Sequence, residues 1–251
     1  MRSPPILHAQ GLTKEFRGFK AVDDVDLQVA EGSIHALIGP NGAGKTTCFN
    51  LLTKFLPPTA GRITYDGRDI THLSAAQVAR QGLVRSFQIS STFPAHDCIE
   101  NVAIALQARR GESFDFWRSA RRLDGDLPRA EELVDMVGLT PFARVPAGEL
   151  PYGRKRALEI ATTLALDPKL LLLDEPMAGM AHGDVDQITA LIRRIRPGRT
   201  ILMVEHNLHV VAELSDRITV LARGQVLTEG SYRDVSEHPA VIEAYMGGVD
   251  A

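Results

Sequence analysis

IHALIGPNGAGKTTCFNLL, residues 34–52, is the stretch on which the fold turns. Ile34 to Ile38 is mostly apolar and stops at Gly39, the form of a strand buried on both faces. A helical pattern then starts at Lys45. It is expected to cover 45–56, with Phe49, Leu52 and Leu56 on one side, until Pro57 and Pro58 end it. Between them stands Gly39-Pro40-Asn41-Gly42-Ala43-Gly44-Lys45-Thr46, a G-x-x-x-x-G-K-[ST] loop in the strand–loop–helix context such a loop requires. Its glycines let backbone N–H groups turn inward around phosphate oxygens, and the helix N-terminus behind them adds partial positive charge. Asn41, Gly42, Ala43, Gly44 and Thr47 form the cradle, Lys45 reaches for the β- and γ-phosphates, and the Thr46 hydroxyl is placed to ligate Mg2+.

A second stretch, LLLLDEP at 170–176, supplies acids. Read as a hydrophobic strand running beside the P-loop strand, it aims Asp174 at the metal and leaves Glu175 to polarise an attacking water. One acid holding the metal and the next acting as base is the division that phosphoryl transfer to water needs. Two acids after a run of leucines are weak evidence alone. Together with a P-loop they point to hydrolysis of a nucleoside triphosphate.

The remaining pattern is that of an α/β protein. Val25, Leu27 and Val29 alternate with polar residues as in a half-buried strand, and Ile63 to Ile70 reads as a hairpin around Asp66-Gly67. Ser74 caps a short helix up to Gly82. Asp97 with Glu100 forms a capping box for a helix to about Arg110, and Pro128 sits in the first turn of a helix ending at Gly138. Residues 170–174 and 200–205 read as buried strands, and 217–229 alternates about a turn at Gly224. The expected architecture is one domain over 1–251. Its α/β P-loop core, at about 1–89 and 166–251, carries an N-terminal antiparallel β-subdomain. A helical subdomain is spliced in at about 90–165.

Composition narrows the function classes. A hydrophobic content of 44% with 24% charged residues is that of a soluble globular chain, and a net charge of −3 disfavours bulk electrostatic binding of nucleic acid. Cys48 and Cys98 have no metal-ligand spacing, which fits a reducing cytosol. MRSPPILHAQ lacks the core of a signal peptide, and no run approaches the roughly 20 apolar residues of a membrane span.

GPNGAGKTT, Gln88 in RSFQ, the LPYGRKR loop at 150–156, LLLLDEP and His206 in VEHN occur in the order of ABC transporter ATPase subunits, which the chain resembles along essentially its whole length. HALIGPNGAGKTT, GLVRSFQ, DEPMAGM, VEHNLHVVAELSDRI and AVIEAYMGG are similar to the ATPase subunits of branched-chain amino acid importers. The resemblance implies ATP and Mg2+ as cofactors. It implies that Phe16 stacks on adenine, with Phe19 the competing candidate. Gln88 would contact Mg2+ or the attacking water, and His206 would face the γ-phosphate. It also implies that Tyr152 and Gly153, in the signature loop, serve the nucleotide of a second ATPase subunit docked head to tail. Partners implied are that subunit, identical or paralogous, two transmembrane permeases docking near 88–93 and the helix from Asp97, and indirectly a periplasmic solute-binding protein. The implied location is peripheral, on the cytoplasmic face of the inner membrane. No nucleic-acid partner is implied.

Two departures stand out. Pro151 replaces the signature serine and removes a hydroxyl and an N–H, while cationic Arg154 stands where glutamine is common and is expected to compensate in part. Ala181 falls where an acid or amide usually signals across the dimer, leaving His182 or Asp184 as substitutes. Alternatives are a lipid or lipopolysaccharide exporter ATPase, a soluble ABC ATPase acting on ribosomes or DNA, and a binding module with a dead site. A single cassette without a heptad insert weighs against the second. Intact Lys45, Asp174, Glu175 and His206 weigh against the third.

Overall fold

A computed structural model describes residues 4–86, 92–110 and 125–246. Two long strands, β1 (Pro5–Phe16) and β2 (Phe19–Ala30), pair antiparallel through a turn at Arg17-Gly18. β3 (Ile34–Ile38) is buried at every residue and runs into the P-loop and α1 (Lys45–Leu52). α1 stops four residues short of the expected 45–56. Thr53 turns its hydroxyl back onto the Phe49 carbonyl at 2.8 Å, and Lys54 takes a left-handed φ of 63°. The prolines are therefore not what ends it. Leu56 still packs against the core from the following turn.

β4 (Ala60–Tyr65) and β5 (Arg68–Asp69) form the expected hairpin. α2 (Ala75–Arg80) follows with a full capping box between Ser74 and Gln77, then β6 (Leu83–Arg85). α3 (Cys98–Arg110) opens with the Asp97–Glu100 box, and α4 (Leu127–Met136) carries Pro128 in its first turn. α5 (Tyr152–Leu164) leads through a short loop to β7 (Leu170–Asp174). α6 (His182–Ile195), β8 (Thr200–Val204), α7 (Leu208–Leu214), β9 (Arg217–Ala222), β10 (Gln225–Gly230), α8 (Tyr232–Ser236) and α9 (Pro239–Met246) complete the chain.

The strands form two sheets. One is antiparallel in the order β2-β1-β4-β5. The other has the order β10-β9-β3-β8-β7-β6, parallel except for its β10 edge. Alternation along the parallel strands divides the core. Leu170, Leu172, Leu202 and Val204 face α1 and the antiparallel sheet, while Leu171, Leu173, Ile201 and Met203 face the helices. α1 is thus enclosed between two sheets, which is why Cys48, Phe49, Leu51 and Leu52 are all buried rather than one stripe. α3, α4 and α5 pack on one another.

The strand order corrects one expectation. β7 does not lie beside the P-loop strand, because β8 is hydrogen-bonded to both and separates them. Parallel neighbours are joined by crossovers, so strands distant in sequence slot between consecutive ones.

Candidate functional site

The ends of β3, β8 and β7 meet at one edge of the parallel sheet, the position at which open α/β sheets bind ligands. At β3 the chain enters the P-loop through Gly39, whose φ is 152°. A Cβ there would stand 2.1 Å from the Leu221 carbonyl oxygen. Gly44, at φ 97°, is equally fixed, since a Cβ would meet the Ala21 carbonyl oxygen at 2.4 Å. The loop is braced from outside by Gly224 N–H donating to the Ala43 carbonyl at 3.0 Å and Asp23 N–H donating to the Gly224 carbonyl at 2.8 Å. Ala43 is buried, whereas Asn41, Gly42 and Thr46 are exposed, and Thr47 is half-buried at the start of α1.

Lys45 is 9% exposed. Its ammonium donates to the Gly39 carbonyl at 2.7 Å and the Pro40 carbonyl at 2.9 Å, folded onto its own loop. Burial holds its pKa below the ordinary lysine range, and the negative charge of Glu175 acts the other way. Lys45 and Glu175 therefore share one electrostatic environment although β8 lies between their strands.

Asp174 ends β7 and pairs its Oδ2 with the Arg85 guanidinium. Glu175 takes a left-handed backbone, φ 44°, sparsely populated for a side chain of this kind. Its N–H donates to the Val204 carbonyl at 2.9 Å and its own carbonyl accepts from Ala178 N–H at 3.0 Å, which hold the turn. From the helical side, Arg156 donates to the Asp174 carbonyl at 2.9 Å and to Glu159 Oε2 at 2.7 Å, with both side chains buried. Burial raises the Glu159 carboxyl above the usual range, and the Arg156 hydrogen bond opposes that.

His206 is exposed just beyond β8, at the same sheet edge. Its placement depends on Glu205, a fully buried carboxylate that accepts from His206 N–H at 2.9 Å, Asn207 N–H at 3.1 Å and Met177 N–H at 3.0 Å. Those bonds satisfy a charge that burial would otherwise penalise, and they tie the segment after Glu175 to the one carrying His206. Gln88 lies outside the described residues.

Phe16 and Phe19 face each other as a cross-strand pair at the tip of the β1–β2 hairpin. Phe16 is 44% exposed, with the Lys14 ammonium 5.2 Å from its ring centroid, and Phe19 is 68% exposed. Both rings are open to a stacking partner.

The signature loop lies away from the P-loop, at the entrance to α5. Pro151 is the N-cap residue and caps nothing with its side chain. Tyr152 is exposed, and its hydroxyl donates to the Ala178 carbonyl at 2.9 Å. Gly153 is buried for a reason internal to the chain: a Cβ would stand 2.9 Å from Asp184 Cγ, so α6 closes against it. The Asp184 carboxyl thus packs on α5 of the same chain, while the side chain of His182 lies outside the described residues. Nor does Arg154 reach forward as compensation for the missing serine. Its guanidinium lies 5.2 Å from the Phe142 ring, and Lys155 donates to the Gly148 carbonyl at 2.9 Å. The three consecutive cations each hold part of their own fold and do not form a free basic face.

Arg85, Glu159 and Glu205 were not singled out from sequence. Arg85 reaches Asp174 and Glu205 reaches the Met177 N–H, partners remote in the chain that no local spacing marks, whereas Glu159 pairs with Arg156 one helical turn away. Among the described residues no three His, Cys, Asp or Glu side chains stand together as a metal-holding group. The Thr46 hydroxyl and the Asp174 carboxylate are hard oxygen donors, a set that suits a magnesium ion keeping waters and phosphate oxygens as its other ligands.

Comparison with known proteins agrees with this arrangement. The ABC transporter family model matches residues 22–178, and a model described as branched-chain amino acid ATP-binding cassette transporter matches residues 225–251. The chain is 40% identical over 255 residues to the high-affinity branched-chain amino acid transport ATP-binding protein BraF of Pseudomonas aeruginosa, covering 98% of this chain and 99% of that one. It is 38% identical over 252 residues to the corresponding protein LivG of Escherichia coli, with coverage of 98% and 99%. Among solved structures, an ATP-binding cassette of an ABC transporter in its ADP conformation superposes with a TM-score of 0.84 at 28% identity, covering 98% of this chain and 100% of that one. A nucleotide-free cassette gives 0.83 at 29% identity, with coverage of 96% and 98%.

Proposed function

The chain belongs to the ABC transporter family as an ATP-binding, ATP-hydrolysing subunit, and from that premise we propose that it powers import of branched-chain amino acids or related small amide or aromatic solutes. Similarity from end to end with relatives named for branched-chain amino acid transport carries this reading. No helix among the described residues is long and apolar enough to cross a membrane, so passage of solute falls to other chains. The partners are two permease subunits, a second ATPase subunit, and a periplasmic binding protein acting through the permeases. The chain works at the cytoplasmic face of the membrane.

In this reading the P-loop, from Asn41 to Thr47, cradles the triphosphate and Lys45 leaves its loop carbonyls for phosphate oxygens. Thr46 and Asp174 would hold a magnesium ion, which would neutralise phosphate charge, and Gln88 would contact that ion or the attacking water. Glu175 takes the proton of the attacking water, and His206 meets the γ-phosphate from the end of β8. Phe16 or Phe19 stacks on the adenine. Tyr152, Gly153 and the uncapped entrance of α5 serve the nucleotide of the second subunit, where free backbone N–H groups attract anions. The surface near Phe93 and α3 receives a permease segment.

The test is the complex reconstituted with its permeases in vesicles. Leucine delivered by the binding protein is expected to enter the vesicle and to stimulate hydrolysis. Glu175→Gln is expected to retain ATP binding while turnover falls by about 10²- to 10⁴-fold, the usual loss on removing a general base, and Lys45→Ala to lose binding as well. Outward movement of solute overturns the importer reading. Undiminished turnover in Glu175→Gln removes Glu175 as the base.

A further inference from the structure

Arg85 is the last residue of β6, paired in register with Leu172 of β7. No role for it follows from the nucleotide chemistry above, yet its side chain is held from several directions. One guanidinium nitrogen donates to Asp174 Oδ2 and another donates to Asn50 Oδ1 at 2.6 Å. The guanidinium carbon lies 5.3 Å from the Phe49 ring centroid and 5.5 Å from that of Phe55, a cation held by aromatic faces as well as by a planar fork. Arg85 and Asp174 are each less than one-fifth exposed, so little water screens the pair. Asn50 follows Thr46 by four residues on α1, which sets both on the same side of that helix.

We propose that Arg85 is the resident counter-ion of Asp174 in the nucleotide-free chain, and that loading the site replaces this guanidinium with the magnesium ion that accompanies ATP. The proposal rests on the reading of Asp174 as a metal-side ligand. Asp174 stands in a part-buried position where an unpaired carboxylate is costly, and Arg85 supplies the missing positive charge. Lys45 shows the same economy, its ammonium satisfied by the Gly39 and Pro40 carbonyls. The two oppositely charged groups on which the nucleotide depends are therefore both engaged within the chain. A cation arriving at Asp174 competes with one anchored by Asn50 and two rings, and like charges raise the metal concentration required. Arg85 is a positioning residue: it stabilises the empty site and sets a threshold for filling it.

The experiment measures two properties of the purified full chain, neither of them turnover. One is the melting temperature without nucleotide. The other is the magnesium concentration that half-saturates binding of a non-hydrolysable ATP analogue. Arg85→Met is expected to lower the melting temperature and to reduce the half-saturating magnesium concentration about three- to tenfold, in the range of a single part-buried charge pair. Arg85→Lys, which keeps the charge without the fork, falls between. Asp174→Asn lowers the melting temperature too, and the double variant is no less stable than either single one, since each removes the same pair. Asn50→Ala, which loosens only the second anchor, shifts the magnesium requirement in the direction of Arg85→Met but less, and serves if Arg85→Met does not fold. The proposal is overturned if Arg85→Met or Asn50→Ala leaves the magnesium requirement unchanged or raises it while Asp174→Asn raises it. If Asp174→Asn itself leaves that requirement unchanged, the reading of Asp174 as a metal-side ligand fails instead.

Discussion

The entrances to α1 and α5 are both helix N-termini reached from glycine-bearing loops, and neither has a side-chain cap. They differ in where their charges point. Around α1, Lys45 is bonded to its own loop, and at the end of β7 Asp174 is paired with Arg85, so both of these charges are satisfied within the chain. Around α5, the cations turn backward. Arg154 lies over Phe142, Lys155 reaches Gly148, and Arg156 holds Glu159 and the backbone under the acids. Pro151 and exposed Tyr152 stand at the front of α5, where no side chain caps the helix. The first entrance is closed on itself. The second is anchored from behind and leaves its front to whatever docks there. Arg156 connects them, because the same side chain belongs to the signature helix and supports the Asp174 carbonyl.

That contrast can be broken from behind or sharpened in front. The largest effect on the fold is expected from Glu205→Gln. Glu205 accepts N–H groups with both oxygens, and an amide sets a donor against at least one of them. Denaturant unfolding is expected to show a loss of about 1–3 kcal/mol, the cost of leaving a buried hydrogen-bonding group unmet. Loss within experimental error would mean that the link between Met177 and His206 is carried elsewhere.

A smaller cost, about 1 kcal/mol, is expected for Gly153→Ala, because the new methyl meets the movable end of Asp184. Combining it with Asp184→Ala should recover most of that stability. No recovery would show that Gly153 is required by what lies in front of α5 and not by α6 behind it.

Pro151→Ser should be nearly neutral for stability, since the N-cap side chain is exposed, while adding a donor to the open end. In a dimer with a distinguishable partner, turnover is expected to rise roughly two- to tenfold at the partner's nucleotide alone, the value of one added hydrogen bond. An equal response at both sites would reject the division between a chain's own half-site and the half it donates.

Where an element is specified by neighbours in the chain, the sequence was legible. The Ser74 cap, the Asp97 capping box, the hairpin turn at Asp66-Gly67 and the strand–loop–helix of residues 34–52 involve groups a few residues apart, and all formed as expected. The end of α1 was misread because the prolines at 57 and 58 are visible in the sequence, whereas the left-handed turn at Lys54 depends on a lysine reaching the Thr71 carbonyl. Arg154 was expected to stand in for the missing serine for the same reason, because only the fold brings its guanidinium to the Phe142 ring.

By itself, then, the sequence determined the chemistry this chain carries: a phosphate loop, two acids after a buried strand, and a histidine after another, each a local pattern with one physical purpose. Only the tertiary structure decided how those patterns are wired. It inserted β8 between β3 and β7, put Glu205 under His206, set Arg156 beneath the acids and gave Asp174 to Arg85. Glu205 and His206 are neighbours, but Glu205 is fixed there by Met177, and the other partners lie well apart along the chain. They meet because a parallel sheet orders its strands by how crossovers pack, and a buried charge then takes whichever opposite charge or backbone dipole that packing brings within reach.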